Sequence, residues 1–266
     1  MDIANWKRQT KETVLFPELL WARPQNNAQA GKLLIIGGSR QNFSAVAESY
    51  SQAVKAGIGS ARVLLPQDLQ KVIGNFFPEA IFAPSIASGS FSSSSVGELL
   101  AESIWADAVL LSGNLGNNSE TAIAIETFTN KFDGSLIITD DSVELLMPSV
   151  ATFLLRQSTT MVLGFNQLQH LLTAAGHKTA ITSKMDLLQI VNILHDFTEQ
   201  YTVNIVTGYA DNIVIAVGGK ISTTKIPNSL PKTPTLAPVV AVWLIQNPKK
   251  PFEALSTAAA VLLDLE

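Results

Sequence analysis

Residues 32–66, KLLIIGGSRQNFSAVAESYSQAVKAGIGSARVLLP, contain two short apolar runs on either side of a segment with helical periodicity. The runs at 33–38 and 61–66 lack the alternation of a strand that has one solvent-facing side, so they predict buried strands. Residues 44–57 place apolar side chains on one face and end at Gly57, a typical helix stop. A strand, a helix and a strand in this order predict a parallel β-α-β unit.

The rest of the chain repeats this pattern, which predicts one α/β domain over residues 1–266 with a lead-in segment at 1–30. Further strands are predicted at 80–84, 107–113, 135–141, 159–165 and 203–208, and helices at 92–106, 120–132, from 166, 185–200, within 235–248 and within 251–265. Residues 212–223 predict a late hairpin that turns at Gly218-Gly219 and forms an antiparallel edge. The serine-rich stretch 85–95 is predicted to be a loop. We therefore expect a mostly parallel central sheet with helices on both faces.

Composition narrows the classes of partner. The 266 residues include 47% hydrophobic and 15% charged residues, carry a net charge of -4 and contain no cysteine. Disulfides and thiolate metal sites are excluded, and nucleic acid is not an expected partner. No apolar run reaches the roughly 18–20 residues that span a bilayer. The N-terminus also lacks a signal-peptide core. We expect a cytoplasmic protein without membrane contact.

The first candidate site is the turn Gly37-Gly38-Ser39, which follows the first predicted strand. Glycines allow a ligand to approach the backbone closely, and Ser39 offers a hydroxyl group. An ordinary strand-to-helix turn has the same composition, so both interpretations stay open.

The second candidate is the loop Ser112-Gly113-Asn114-Leu115-Gly116, which lies between a predicted strand and a predicted helix. Its backbone amides could hold a phosphate at the helix N-terminus. The alternative is a glycine-rich loop needed for tight packing.

Asp140 and Asp141 end another predicted strand. Asp141 is the one candidate for a catalytic group, since a carboxylate there could accept a substrate hydroxyl or hold a hydrated magnesium ion. The alternative is that these acids cap the helix that follows.

The three histidines, His170, His177 and His195, do not have the spacing of a metal site. No metal is expected, and each histidine is interpreted as a surface or packing residue. The chain also lacks the G-x-S-x-G, GxxxxGK[ST] and G-x-G-x-x-G motifs.

Several segments together resemble the ATP- or ADP-dependent NAD(P)H-hydrate dehydratases of the ribokinase-like superfamily. The resemblance starts from the stretch 32–66 and the preceding ARPQNNAQAGK (22–32), and covers roughly residues 20–262. FFPEAIF (76–82) is similar to the family's proline-glutamate element. DAVLLSGNLGNNSET (107–121) resembles its D-A-x-x-x-G-P-G-L-G loop, with Asn114 in place of proline. LIITDDSVELL (136–146) resembles its V-L-D-A-D-A-L strand end, with Asp141 retained.

The resemblance implies a ribokinase-like three-layer sandwich and ligands of the ATP or ADP and NAD(P)H type. In the family, a nucleotide phosphorylates the hydroxyl of hydrated NADH or NADPH, and elimination restores the cofactor. The family needs an aspartate and an anion hole in a G-T-G-D motif at the start of the penultimate helix. Here that position reads Thr233-Pro234-Thr235-Leu236, with Leu236 in place of the aspartate.

Two other family motifs are altered. Residues 165–168 read Phe-Asn-Gln-Leu where a glutamate is expected, and Thr207-Gly208 replaces a lysine-glycine pair. The binding residues implied by the resemblance include Gly208, Thr233 and Thr235. At the helix start, leucine cannot accept a proton and would block a phosphate, while Pro234 removes a backbone donor. The start is expected to be capped by threonine and proline.

Three hypotheses follow from these motifs. The first is a ribokinase-like protein that has lost transferase and dehydratase activity but still binds a nucleotide or other small molecule. The second is an active enzyme in which Asp140, Asp141 or another acid replaces the lost one. The third is a structural or assembly protein whose cleft is closed by side chains. The fold family also allows a homo-oligomer.

Overall fold

The computed structural model describes residues 5–73, 77–227 and 229–265, and within them a ten-stranded sheet lies between two layers of helices. The strands are β1 (Trp6–Gln9), β2 (Lys32–Ile36), β3 (Ser60–Pro66), β4 (Ala80–Ala83), β5 (Ala108–Leu111), β6 (Ser135–Thr139), β7 (Thr159–Leu163), β8 (Asn204–Tyr209), β9 (Asn212–Val217) and β10 (Lys220–Lys225). Their order in the sheet is β1-β10-β9-β8-β7-β6-β5-β2-β3-β4. All neighbours from β8 to β4 in this order are parallel, as the sequence predicts.

The described helices are α1 (Pro17–Trp21), α2 (Ser44–Lys55), α3 (Gln70–Ile73), α4 (Val96–Ser103), α5 (Ser119–Lys131), α6 (Asp141–Leu146), α7 (Val150–Phe153), α8 (Phe165–Ala174), α9 (Leu187–Gln200), α10 (Thr233–Gln246) and α11 (Pro251–Leu265). Helices α1, α2, α10 and α11 cover one face of the sheet, and α4 to α9 cover the other. None of the helices described here combines the length and apolar character needed to cross a bilayer.

Strand β2 illustrates why helices are needed on both faces. Leu33 and Ile35 belong to the apolar core beneath α10, whereas Leu34 and Ile36 belong to the core beneath α5. All four side chains are fully buried. Because neighbouring side chains of a strand point to opposite faces, a run without alternation is stable only when both faces are covered. Full burial of one such side chain is worth about 1.5–3 kcal/mol.

The predicted hairpin is present, but its predicted position at the edge of the sheet is wrong. Strands β9 and β10 pair antiparallel, and the turn residues Gly218 and Gly219 have φ values of 51° and 76°. Strand β1 then pairs parallel to β10, with Trp6 opposite Ile221, and so forms the edge itself. The predicted lead-in 1–30 therefore contains a strand and a helix in its described part. This pairing joins strands that lie more than 200 positions apart in the sequence, which local sequence patterns do not reveal.

Other differences concern element boundaries. Strand β7 ends at Leu163 and α8 begins at Phe165, one residue before the predicted start, because Gly164 occupies the N-cap position. The serine-rich stretch is not a bare loop. Ser85 and Phe91 form an isolated β-bridge, residues Ser93–Ser95 form a 3₁₀ turn, and Phe91 is fully buried. In the FFPEAIF motif, Phe76 lies outside the described residues.

Candidate functional site

A cleft of about 670 Å³ opens at the carboxyl ends of the parallel strands, near β5 and β6. The first turn of α2, the loop after β5, the end of β6 and the start of α10 surround it. Ligands of open α/β sheets bind at this edge, beyond the carboxyl ends of the strands. The lining residues are Ser44, Ala45, Glu48, Asn114, Asp140, Asp141, Lys232, Pro234 and Thr235.

Asp140 connects β6 to the start of α10. Its backbone has φ 51° and ψ -138°, a conformation that residues other than glycine rarely adopt. Its Oδ1 accepts a hydrogen bond from the Thr233 hydroxyl, while its Oδ2 is buried without a partner in the described structure. Burial raises the pKa of the Asp140 carboxyl above its ordinary value; the Thr233 bond opposes this shift and the Asp141 charge adds to it.

Although Asp140 occupies the N-cap position of α6, its side chain makes no capping bond there. The capping interpretation is therefore wrong for Asp140. Its carboxylate turns instead toward α10 and the cleft. Backbone strain of this kind is often concentrated at functional sites.

Asp141 holds the loop that follows β5. The Gly116 amide donates to Asp141 Oδ2 at 3.3 Å, whereas Oδ1 is buried without a partner among the described residues. Burial raises the pKa of the Asp141 carboxyl, and hydrogen bonds from the backbone of Leu115 and Gly116 partly offset the rise. The loop packs closely on these acids, since a Cβ atom at Gly113 would lie 2.6 Å from the Asp140 Cβ.

Asn114 joins the same loop to α2. It has φ 57°, and its Oδ1 accepts a hydrogen bond from the Ala45 amide at 2.8 Å. Asparagine tolerates this left-handed backbone better than most residues. The side chain thus satisfies one of the free amides at the N-terminus of α2.

The turn after β2 packs against the loop after β5. The Gly38 amide donates to the Gly113 carbonyl at 2.9 Å, and a Cβ atom at Gly37 would lie 2.5 Å from that carbonyl oxygen. Ser39 is buried, and its hydroxyl faces the Asn42 carbonyl within its own turn, at 3.5 Å. Gly37, Gly38 and Ser39 therefore lie next to the cleft without lining it, and their local role is close packing.

The start of α10 differs from the predicted one in two respects. Lys232 is the N-cap and makes no side-chain capping bond, so Thr233 and Pro234 are the first helical residues and not caps. Leu236 is 3% exposed and packs in the core, so its side chain does not block the cleft as predicted. The amides of Thr235 and Leu236 both donate to the Lys232 carbonyl.

The remaining predicted residues are dispersed. Thr235 lines the cleft, whereas Gly208 lies within β8, where a Cβ atom would meet Leu230 at 3.0 Å. Ser112 is fully buried and its hydroxyl has no partner among the described residues. His170 contacts Glu144 at 3.1 Å, and the rings of His177 and His195 lie beside the carbonyls of Thr179 and Gly219. No cluster of three or more metal-ligating side chains occurs in the part of the chain that the structure describes.

Sequence reasoning missed four residues that line the cleft, namely Ser44, Ala45, Glu48 and Lys232. Each lies at the start of a helix: Ser44, Ala45 and Glu48 on the first turns of α2, and Lys232 as the N-cap of α10. Their position in the sequence could have identified them, because helices that follow parallel strands begin at the carboxyl ends of those strands, where ligands bind.

Comparisons with solved structures place this geometry in a known class. A ribokinase-like superfamily protein from Enterococcus faecalis superposes with a TM-score of 0.72 at 17% identity, covering 97% of this chain and 87% of that protein. The ADP/ATP-dependent NAD(P)H-hydrate dehydratase of Bacillus subtilis, co-crystallised with ATP and Mg²⁺, gives a TM-score of 0.63 at 13% identity, covering 93% and 86%. The chain has a ribokinase-like fold. The fold prediction is therefore confirmed.

A sequence relative supports the same relationship. The bifunctional NAD(P)H-hydrate repair enzyme Nnr of Dictyoglomus turgidum is 26% identical over 149 residues, which are 55% of this ribokinase-like chain and 28% of the relative. No model of a protein family matches the chain. The resemblance to the NAD(P)H-hydrate dehydratases is thus confirmed by fold and by this partial sequence match.

Proposed function

We propose that this chain binds a small molecule in the cleft between α2, the loop after β5 and α10, and that it does not transfer a phosphoryl group. The observation that carries the proposal is the start of α10. There, Leu236 is buried in the core, Pro234 has no amide proton, and the next two amides already donate to Lys232. A helix start that handles phosphate needs free amides that point at the anion.

The acid–base chemistry of the family is also weakened at this helix. The leucine at 236 provides no general base, and such a base typically contributes a rate factor of roughly 10²–10⁴. Donors arranged in advance for a developing negative charge are worth about 2.7–4 kcal/mol each in known enzymes. A helix start that lacks both the general base and these donors would leave a cleft that binds a ligand but does not transfer a phosphoryl group.

Binding is proposed because the cleft remains open. Its volume of about 670 Å³ is in the range of small-molecule sites, about 300–1,000 Å³. This openness argues against the hypothesis of a cleft closed by side chains. A structural neighbour was co-crystallised with ATP and Mg²⁺, so a nucleotide is the first ligand class to test, followed by NAD(P)H and its hydrates.

Thermal unfolding with ATP, ADP, NADH and NADPH tests the binding half of the proposal. A ligand at 100 times its Kd stabilises the folded chain by about 2.7 kcal/mol. The substitution Thr235→Trp should abolish the shift by filling the cleft, whereas Thr173→Trp on the exposed side of α8 should leave it unchanged. If none of the four ligands shifts the transition, a nucleotide or NAD(P)H ligand is excluded.

A second candidate function is supported by Asp140. Its carboxylate reaches the start of α10 from the end of β6 and would bring an acid near the position that Leu236 has lost. Because burial raises the pKa of the Asp140 carboxyl, its ionised form would be a stronger base than an exposed aspartate. If the chain has turnover with a phosphoryl donor, Asp140→Asn should reduce the turnover rate at least 100-fold. Asp196→Asn, at an exposed position of α9, should leave the rate unchanged.

A further inference from the structure

A second cavity, of about 460 Å³, lies at the amino ends of the parallel strands, whereas the cleft lies at their carboxyl ends. Its floor is made by the first residues of parallel strands, including Ser135 of β6 and Asn204 of β8. One wall is the end of α10 and its connection to α11. We call it the amino-end cavity; its lining residues are Asp107, Ser135, Gln157, Ser158, Thr160, Thr202, Asn204, Leu244, Ile245, Pro248 and Pro251.

The polar groups of the amino-end cavity retain free hydrogen-bonding capacity. Asn204 donates its amide to the Thr160 hydroxyl at 3.0 Å, which leaves its amide oxygen as an acceptor. Asp107 uses Oδ2 to accept from the Lys32 amide at 2.8 Å, which leaves Oδ1. Within the described part of the chain, the side chains of Ser135, Gln157 and Ser158 have no hydrogen-bond partner. The amino-end cavity is therefore lined by both hydrogen-bond donors and hydrogen-bond acceptors.

The backbone fixes one of these groups in place. Ser158 has φ 53°, and its carbonyl accepts a hydrogen bond from the Leu136 amide at 2.9 Å, next to the start of β6. This bond holds the segment between α7 and β7 against the sheet. The Ser158 hydroxyl, which lines the cavity, is therefore attached to a backbone that is hydrogen-bonded to the sheet.

Charge and shape define the class of occupant. Among the lining residues, Asp107 is charged and no lysine, arginine or histidine is present, so an anion would meet no counter-charge. The opposite wall is aliphatic, formed by Leu244, Ile245 and two prolines. A sugar or polyol presents hydroxyl groups that both donate and accept, together with C–H faces that pack on aliphatic side chains. The volume is sufficient for such a molecule.

We propose that the amino-end cavity binds a neutral polyhydroxylated small molecule, a free sugar or a polyol. This site is distinct from the cleft, so its occupation does not depend on the function proposed there. Glucose and sucrose distinguish a monosaccharide site from a disaccharide site, and glucose 6-phosphate tests the exclusion of anions.

Isothermal titration of the full chain with these three probes provides the test. We expect saturable binding of glucose or sucrose, and at least 10-fold weaker binding of glucose 6-phosphate. Gln157 is exposed and lines the cavity, so the larger side chain of Gln157→Trp can fill it. This substitution should weaken sugar binding at least 10-fold. Ser158→Gly removes a hydroxyl while suiting the left-handed backbone, and should weaken binding about 3-fold or more. Thr235→Trp in the cleft should have no effect.

The proposal is overturned by any of three results. These are no saturable binding of either neutral sugar, binding of glucose 6-phosphate as tight as that of glucose, or sugar affinity that Gln157→Trp and Ser158→Gly leave unchanged. Amide chemical shifts that move near the cleft and not near Ser158 or Asn204 would contradict it equally.

Discussion

The hydroxyl of Thr233 donates a hydrogen bond to Oδ1 of Asp140, although the two residues are 93 positions apart. The bond joins the start of α10 to the end of β6. It brings a carboxylate to a helix start that has none of its own within its first turn. Asp140 is held there with φ 51° and with one carboxylate oxygen buried and unpaired in the described structure. The pair therefore fixes a carboxylate at the edge of the cleft.

Removing the bond should destabilise the fold. Thr233→Val has nearly the same shape and leaves Asp140 without its donor, so we expect a loss of about 1–3 kcal/mol in the free energy of unfolding, measured by urea denaturation at neutral pH. Thr235→Val is the matched control, because no side-chain hydrogen bond of Thr235 is found in the described structure; it should change stability by less than about 0.5 kcal/mol. Equal effects of the two substitutions would contradict the role of this bond.

The stability of the chain should depend on pH through the two acids. The folded-state pKa values of Asp140 and Asp141 are raised above the ordinary carboxyl value, mainly by burial. Between the ordinary and the raised values, the folded chain binds more protons than the unfolded chain, so stability falls as pH rises through this window. Asp140→Asn should therefore be more stable than the native chain at neutral pH.

The stabilising effect of Asp140→Asn should shrink as pH falls toward the ordinary carboxyl range, where the native carboxyl becomes protonated in both states. Denaturant titrations at a series of pH values measure this difference. Asp196→Asn, at an exposed position on α9, should give a difference that does not follow this pH window. A native chain that becomes more stable as pH rises through the window would contradict the direction of the shifts.

Placing an aspartate at position 236 should unfold the chain instead of activating it. Leu236 is 3% exposed in the core, so Leu236→Asp loses the burial of an apolar side chain and places a carboxylate among apolar neighbours. We expect a loss of at least about 3 kcal/mol in thermal or urea unfolding. Leu236→Met, which keeps the volume, should cost less than about 1.5 kcal/mol. A stable Leu236→Asp variant would show that this side chain can turn into the cleft.

The loop after β5 should not tolerate a side chain at Gly113. This residue has φ 93°, and a Cβ atom would lie 2.6 Å from the Asp140 Cβ. Because both the backbone and the contact resist the change, Gly113→Ala should cost about 1–3 kcal/mol or more. Gly97 in α4 is the control, since nothing lies within 4 Å of its Cβ position. Gly97→Ala should stabilise by about 0.5–1 kcal/mol.

The local parts of the fold follow from the sequence because they depend on neighbouring residues. The apolar runs of β2 and β3 and the amphipathic α2 are examples, whereas α10 begins at Thr233, two residues before the stretch predicted for it. The pairing of β1 with β10 joins Trp6 to Ile221, and no local pattern encodes so distant a partner.

The cleft was harder to predict than the fold. Its location at the carboxyl ends of the strands follows from topology, and Asp141, Asn114 and Thr235 were identified. The burial of Leu236 could not be read from a motif position, because the rotation of α10 against the sheet decides which side chains face the core. The contact between Asp140 and Thr233 likewise depends on how β6 and α10 pack.

The central claim is that the start of α10 no longer supports phosphoryl transfer. The most direct measurement incubates the native chain with Mg²⁺, hydrated NADH and either ATP or ADP, and follows both the recovery of NADH and the loss of the nucleotide's terminal phosphate. The dehydratase of Bacillus subtilis serves as the positive control. We predict no NADH recovery and no nucleotide cleavage above the rate without protein. NADH recovery within 100-fold of the control enzyme, lost on Asp140→Asn, would contradict the claim.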